Sequence, residues 1–320
     1  MSFSIEANLL TKAFFGSTKE IGSGIFSRTL PLPTIYTMAG AFFTQLIKQY
    51  AISANEIQGM VKNGELQVYG VYLKYEDEYY IPISYQLIDK VDEKLELRLE
   101  LKGIKEMYED TLSFILSKFI KPYDMGEKDV LYLLNLDKLK DCKVISFDIK
   151  EEERTRIGMR YPERVTEEGI LFTTTHKDFE LKVKFCIDVV ISNKQIKKID
   201  NWIGNLGGEA TIANFEINEK THLVDKVKTD YKEYLSISHI PILLKDNKII
   251  SNFGEIEAII GSIEPISGWE LGKDKQKMKR IFASIKPGSL FSVKIKEEKL
   301  QVDEWYLNLL KSAIPLSLLK

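Results

Sequence analysis

Apolar residues recur with the period of an amphipathic helix in two long stretches of this chain. Over residues 34–50 they fall on one helical face, and Thr34, which follows two prolines, is a residue type typical of an N-cap. Over residues 104–120 a second apolar stripe ends just before Pro122, a residue that stops helices. Weaker patterns predict two further helices, at residues 129–139 and 223–235.

Strands are predicted where apolar and polar residues alternate, or where β-branched and aromatic residues cluster. These stretches are residues 5–15, 65–74, 78–84, 94–101, 169–175, 181–191, 240–244 and 248–251. Lys-Asp-Asn between the last two predicts a hairpin turn, and glycine-rich loops are predicted at residues 16–28 and 204–208. Strands and helices follow a similar order in each half, which predicts an α+β fold of two units with antiparallel sheets.

Length and composition favour two folded domains. The chain has 320 residues, 44% of them hydrophobic and 29% charged, which suffices for buried cores. A charged link at residues 150–156 divides the chain into domains 1–150 and 151–320. No apolar run reaches the ~18 residues of a membrane helix, and no signal peptide is visible. Two cysteines are too few for a disulfide framework and predict a reducing, cytoplasmic setting.

Basic charge is concentrated in two short segments. Residues 273–280 hold five basic residues and one acidic, a net charge of +4, and residues 154–164 hold four arginines and one glutamate, a net charge of +3. The whole chain is −2, so −2 − 4 − 3 leaves −9 for the rest. Such segregation suits a phosphate backbone held by one basic track, although charge alone favours a solvated lysine-rich loop. The acidic total argues against a free-standing, non-specific nucleic-acid binder.

Two backbone features are candidates for binding a phosphate. The Leu206-Gly207-Gly208-Glu209 loop is able to turn successive N–H groups towards an anion, and its simpler alternative is a plain turn. The helix that starts at Thr34 presents free N–H groups and the positive end of its dipole, and its simpler alternative is an ordinary capped helix.

The sequence offers little equipment for catalysis. Its three histidines, His176, His222 and His239, have neither metal-ligand spacing nor a neighbouring nucleophile motif, and each is predicted to be an ordinary surface or half-buried residue. Cys142 and Cys186 are predicted to be small core residues. The sequence has neither a Walker A motif nor a G-x-G-x-x-G motif. We therefore expect no catalytic residue, no metal and no cofactor.

Six segments, taken in order, resemble the third subunit of the Cmr module, which is the type III-B CRISPR effector complex and whose subunit belongs to the RAMP superfamily. They begin with Pro31-Leu32-Pro33-Thr34 and Ala39-Gly40-Ala41, and they cover residues 31–41, 70–84, 153–172, 206–209, 267–269 and 286–291. The resemblance spans about residues 30–292. It implies a pair of ferredoxin-like, RRM-type domains with helical insertions.

The resemblance also implies a role. Such a subunit is a non-catalytic structural component that binds the 5′ repeat-derived handle of the guide RNA and anchors the large polymerase/nuclease-like subunit at the foot of the complex. It meets the repeated backbone RAMP subunit and serves antiviral defence. The RNA-binding residues expected from the basic segments, the glycine loop and these motifs are Arg28, Thr34, Gly40, Arg154, Arg156, Arg160, Gly207, Gly208, Lys275, Lys277, Lys279 and Arg280.

Two other interpretations stay open at this point. One is a guide-processing endoribonuclease of the RAMP type, in which a histidine acts as general base on a 2′-hydroxyl. The other is the equivalent subunit of the type III-A complex. Residues 94–101 are predicted to be a sheet edge, with an RNA-contacting hairpin as the alternative.

Overall fold

The structure is a computed structural model, and it describes residues 1–16, 25–27, 30–91, 94–101, 130–160, 165–179, 183–208, 211–228, 230–266, 269–271, 276–278, 282–294 and 313–319. The predicted helix at 104–120 lies outside the described residues. No helix of the described part is long and apolar enough to cross a membrane.

The elements of the first two thirds of the chain are β1 (Ser2–Leu9), β2 (Ile25–Ser27), α1 (Ile35–Tyr50), α2 (Ala54–Lys62), β3 (Leu66–Tyr75), β4 (Glu78–Ile83), β5 (Ile88–Val91), β6 (Lys94–Leu97), β7 (Val130–Asn135), β8 (Val144–Asp148), β9 (Lys150–Arg160), β10 (Val165–Asp178), β11 (Val183–Ile191), β12 (Trp202–Asn205) and β13 (Ile212–Asn218). The remaining strands are β14 (Glu233–Ser236), β15 (Ile240–Lys245), β16 (Lys248–Ser251), β17 (Gly254–Ile260), β18 (Ile263–Ile266), β19 (Trp269–Leu271), β20 (Gln276–Met278), β21 (Phe282–Ile285), β22 (Leu290–Lys294) and β23 (Ala313–Pro315).

Both helices start at side-chain caps. Thr34 has extended backbone angles (φ −73°, ψ 160°), and its hydroxyl oxygen accepts a hydrogen bond from the Thr37 amide at 3.2 Å. The predicted helix at 34–50 is therefore confirmed as α1. Helix α2, which was not predicted from the sequence, begins at a capping box formed by Ser53 and Glu56.

The first sheet has eight strands in the order β12-β13-β1-β11-β3-β4-β7-β8, and its neighbouring strands all pair antiparallel. Helices α1 and α2 pack on one face of this sheet, over a core that includes Phe42, Leu46, Phe185 and Phe215. The sheet takes strands from both sides of residue 150, because β11, β12 and β13 pair beside β1 and β3. The sheets themselves therefore do not divide at the predicted boundary.

The second sheet also has eight strands, in the order β18-β21-β15-β16-β17-β22-β14-β23. Tyr234, Phe253 and Phe291 pack together in its core. Asp246 and Asn247, at φ 50° and 59°, form the turn between β15 and β16, as the Lys-Asp-Asn sequence predicts. The large antiparallel sheets and few helices confirm an α+β fold.

Three smaller units stand outside the two large sheets. We name β9 and β10, with β2 paired to β10, the first arm, and the β19–β20 pair the second arm. The third unit is the β5–β6 pair, so residues 94–97 form a strand with β5 and not the edge of a large sheet. The predicted loop at 16–28 contains strand β2, and its other residues from Ser17 onwards lie outside the described part.

Two predicted helices are wrong. The stretch 129–139 contains strand β7, which pairs with β4 on one side and with β8 on the other. The backbone hydrogen bonds of this stretch are therefore made to neighbouring strands and not within a helix. In the stretch 223–235 the chain makes one turn, in which the Lys226 and Val227 amides donate to the Leu223 carbonyl, and then enters β14. In both places pairing with distant strands decides the conformation.

Candidate nucleic-acid interface

The first arm carries the arginine-rich segment. Strand β9 has 11 residues and, at about 3.3 Å per residue, is roughly 35 Å long. Arg154 lies opposite Thr174 in the ladder, Arg156 opposite Phe172, and Arg160 opposite Val165 at the end of the strand. The three arginines predicted to bind RNA are therefore distributed from the middle of the arm to its outer end.

Ion pairs hold the base of this arm. Glu152 pairs with Lys12 and with Arg154, and the Arg154 Nε lies 2.7 Å from Glu152 Oε1. Hydrogen bonds from Lys12 and Arg154 lower the pKa of Glu152 to about 2. Lys177 pairs with Glu151 across the ladder. The Arg154 charge is thus compensated within the chain.

The glycine loop packs against Phe14. The Gly208 amide donates to the Phe14 carbonyl at 3.0 Å, so this N–H already has a partner within the chain. Gly207 has φ +94°, and a Cβ at this position would lie 2.6 Å from the Phe14 carbonyl oxygen. The two glycines therefore permit a close approach between segments of this protein. A phosphate held by two successive N–H groups here would have to replace the bond from Gly208 to Phe14.

Phe14 also connects the glycine loop to the first arm. Its neighbour Ala13 exchanges two backbone hydrogen bonds with Lys177 on β10, at 2.8 and 2.9 Å. The Phe14 ring lies 5.5 Å from the His176 ring, and its amide donates to the Thr211 hydroxyl at 2.9 Å. We name Lys12, Ala13 and Phe14 with these partners the Phe14 junction. It brings Gly207, Gly208 and the base of the arginine strand together, which the sequence alone did not predict.

The lysine-rich segment belongs to the second arm. Here the chain leaves the edge of the second sheet through β18 and β19 and returns through β20 and β21. Lys277 lies on the returning strand, opposite Glu270. Lys275, Lys279 and Arg280 lie outside the described residues, as does Arg28. The described residues of both basic segments, 154–160 and 276–278, thus belong to hairpin arms.

Thr34 and Gly40 lie apart from the arms, on α1. Thr34 is buried and its hydroxyl is used as the helix cap. Gly40 is exposed, and a Cβ placed there would meet no atom within 4 Å. Helix α1 packs on β3 and β12. Internal packing explains the position of Thr34, whereas it gives no reason for a glycine at residue 40.

A cluster of charged groups on the first sheet, centred on Glu6, neutralises itself. Glu6 is buried and lies 3.4 Å from the Lys74 ammonium and 3.1 Å from the Lys184 ammonium, while Lys184 also lies 2.6 Å from Glu216. Burial raises the pKa of Glu6. The Lys184 hydrogen bond and the charges of Lys74 and Lys184 together lower it by more, so the pKa of Glu6 lies below its usual value. This cluster was not predicted, although the alternation of polar residues in β1 signals a polar sheet face. The paired charges make this face a poor binding site for phosphate.

A second buried carboxylate fixes the turn that leads to the second sheet. Asp188 accepts hydrogen bonds from the Tyr72 hydroxyl at 2.6 Å and from the His222 and Leu223 amides at 2.7 and 2.6 Å. The His222 ring stacks on Tyr79, with ring centroids 3.6 Å apart. Desolvation lowers the pKa of His222, which favours its neutral form. This arrangement is structural and gives the imidazole no reacting partner among the described residues.

All three histidines are buried, with 1% to 5% of their surface exposed, so the prediction of surface or half-buried positions is wrong. They lie in separate places: His176 contacts Phe14, His222 stacks on Tyr79, and His239 Nε2 lies 2.5 Å from Glu264 Oε1. Cys186 is a core residue as predicted, and Cys142 is half-buried. Among the described residues, no group of three or more His, Cys, Asp and Glu side chains is arranged to hold a metal ion.

Comparison with known proteins identifies the fold. No family model and no curated protein matches the chain. A chain in the cryo-EM structure of type III-B Cmr-beta bound to cognate target RNA and AMPPnP superposes with a TM-score of 0.52 at 20% identity, over 90% of this chain and 86% of that one. A chain in the crystal structure of the Csm3-Csm4 subcomplex of the type III-A CRISPR-Cas interference complex gives 0.44 at 13% identity, over 92% and 94%. The likeness to the Cmr-beta chain shows that the two chains share a fold.

Proposed function

We propose that this protein is a non-catalytic structural subunit of a type III-B CRISPR ribonucleoprotein and that it binds the 5′ repeat-derived handle of the guide RNA. In this proposal the two large sheets belong to two ferredoxin-like, RRM-type domains. The observation that carries the proposal is that the described parts of both basic segments, +3 and +4, belong to hairpin arms outside the large sheets of an otherwise acidic chain. Basic residues on an arm are able to follow a phosphate backbone even when the rest of the protein is acidic.

Each part of the interface has a separate role. The Phe14 junction and the ion pairs of Glu151 and Glu152 hold the first arm in a fixed direction. Arg156 and Arg160 on that arm, and Lys275 to Arg280 around the second arm, neutralise phosphates. Gly40 gives the RNA or a partner protein a place to approach the α1 backbone closely, because no side chain of the described residues occupies that space.

The assembly supplies the remaining partners and the chemistry. The protein anchors the large polymerase/nuclease-like subunit at the foot of the complex and contacts the repeated backbone RAMP subunit, in a cytoplasmic particle that serves antiviral defence. The separate, buried histidines support a role in holding RNA and not in cutting it.

Salt-dependent RNA binding by the purified chain tests the role of the arms. Replacing Arg156 and Arg160 by alanine, or Lys275, Lys277, Lys279 and Arg280 by alanine, should reduce the log–log salt slope by about 0.7 for each single-strand phosphate that the variant no longer neutralises. The matched control replaces the exposed lysines Lys62, Lys140 and Lys143, which lie outside the arms, and should leave the slope unchanged. Equal slopes in arm and control variants would contradict the proposal.

A cleavage assay tests the non-catalytic assignment. The protein is incubated with repeat RNA, with and without divalent metal, and we expect no site-specific product. Cleavage that disappears in His176→Ala, His222→Ala or His239→Ala would instead identify a guide-processing endoribonuclease.

A further inference from the structure

The two large sheets have four edges, and three of them carry features that prevent another strand from pairing. Strand β18 contains Pro265 and β23 contains Pro315, and a proline has no N–H to donate. Strand β8 has β6 beside it and carries a charge at Asp148. Natural sheets protect their edges in these ways because an open edge is a template for pairing with another chain.

Strand β12 is the fourth edge, and it has no such feature. Its sequence, Trp-Ile-Gly-Asn, contains neither a charge nor a proline, and its register with β13 has no bulge. No strand of the described part pairs with its outer side. Its inner side is held firmly, since the Trp202 ring stacks on Phe215 with centroids 4.4 Å apart and planes 5° apart.

The outer side of β12 presents backbone groups and an apolar side chain. The Leu206 amide donates to the Thr211 carbonyl at 2.9 Å, towards the β13 side. Because the backbone groups of an antiparallel strand alternate between its two sides, Ile203 and Asn205 direct their N–H and C=O groups outwards. Ile203 is also the most exposed of the large hydrophobic residues described, with 66% of its surface accessible.

The surroundings of this edge are basic and concave. A groove of about 680 Å³ adjoins the start of β12 and is lined in part by residues 197–201, which run directly into the strand. Lys194, Lys197 and Lys198 are all exposed on this approach, and within the described part of the chain only Lys198 forms an ion pair, with Asp200. The groove is lined by Asp200 and Glu219 as well as Lys197 and Lys198, so the basic groups left for a chain laid along β12 are those of Lys194 and Lys197, on the approach to the strand.

We propose that β12 is the docking site for an extended segment of a partner protein, which adds a strand to the first sheet and places acidic residues beside Lys194 and Lys197. The outward N–H and C=O groups match the repeat of an extended polypeptide backbone. Ile203 requires an apolar contact, which a protein side chain supplies and a phosphate backbone does not. The lysines select acidic residues at the end of the segment that enters the groove.

This inference rests on the proposed function only in assuming that the protein works in an assembly. The complex is purified from its host through a tag on this chain, in wild-type form and with Ile203→Lys, which puts a charge on the edge. Ile203→Val keeps an apolar β-former, and Leu244→Lys is the matched control because Leu244 is also exposed, at 42%, on a different sheet. The guide RNA and each protein are quantified in every preparation.

Three readouts are expected. Hydrogen exchange of the peptide covering residues 201–206 should be about tenfold slower, or more, in the complex than in the free chain. A photo-crosslinking residue at position 203 should join one partner protein at an extended segment containing Asp or Glu. Ile203→Lys should remove that protein from the particle, whereas Ile203→Val and Leu244→Lys should retain it.

The outcomes that overturn the inference are equally specific. Unchanged exchange, crosslinks to RNA or to a second copy of this chain, or a normal protein composition in Ile203→Lys would each exclude a partner strand at β12. If guide RNA is present without protection of residues 201–206, only this inference fails. If residues 201–206 are protected by an acidic partner segment but no guide RNA is found, the proposed function fails and the docking site stands.

Discussion

The Ser84 amide donates a hydrogen bond to the Gly288 carbonyl at 2.9 Å, and this bond joins the end of β4 in the first sheet to the residues before β22 in the second. Gly288 has φ +81°, and a Cβ on it would lie 2.6 Å from the Ile83 backbone. Its own amide donates to the Ser236 carbonyl at 2.8 Å. The Lys286-Pro287-Gly288-Ser289 segment, which lies within the resemblance motif at residues 286–291, therefore makes a packing contact between the two sheets.

Gly288→Ala should destabilise the protein, because the new methyl group meets backbone atoms and the residue has a left-handed conformation. We expect a loss of about 1–3 kcal/mol or more in the free energy of unfolding, measured by urea denaturation of the free chain. An unchanged midpoint of urea denaturation would show that the contact between the two sheets adjusts to the methyl group without a loss of unfolding free energy.

Gly207→Ala distinguishes packing from phosphate binding in the glycine loop. The added Cβ would meet the Phe14 carbonyl, so we expect a lower melting temperature, equivalent to about 1–3 kcal/mol. Guide RNA per particle should fall only in parallel with this loss of stability, since the loop acts through the Phe14 junction. A normal melting temperature with depleted guide RNA would instead assign the loop to direct RNA contact.

Gly40→Ala should affect stability and assembly in opposite directions. Alanine is the better helix former by about 1 kcal/mol, and nothing in the described structure obstructs its methyl group, so the free chain should become more stable. The same methyl group should reduce guide RNA or partner protein per particle. The matched control is Gly59→Ala on α2, which is also unobstructed and should gain stability without altering the particle. If both variants give particles of the same composition, Gly40 is not part of the interface with RNA or a partner protein.

His222 should make stability depend on pH. Because burial lowers its pKa, the folded state disfavours the protonated ring, so its contribution is complete above the unfolded pKa of about 6.5 and is lost as the pH falls below that value. His222→Phe keeps a ring against Tyr79 but does not titrate, and the buried His222 Nε2 has no hydrogen-bond partner among the described residues that Phe would remove.

Urea denaturation at several pH values measures this effect. Between about pH 7.5 and about pH 5.5 the wild type should lose more unfolding free energy than His222→Phe, with a difference of at most about 1.4 kcal/mol per pH unit for one proton. Parallel pH profiles for the two proteins would show that the pKa of His222 is the same in the folded and unfolded states.

Features that depend on a few neighbouring residues were determined by the sequence itself. Helix α1 follows from its apolar period and the Thr34 cap, whose hydrogen bond reaches only three residues. The turn at Asp246 and Asn247 follows from residues that tolerate positive φ. The two basic segments were also visible, because local charge needs no fold to be counted.

Tertiary structure decided what those segments contact. The apolar stretch at 129–139 is compatible with a helix or a strand, and pairing with β4 and β8 selects the strand. Gly207 and Gly208 form a tight contact with Phe14, which the Gly-Gly sequence by itself does not specify. In each case the deciding partner is far away along the chain, so its proximity depends on the whole sheet and not on local propensity.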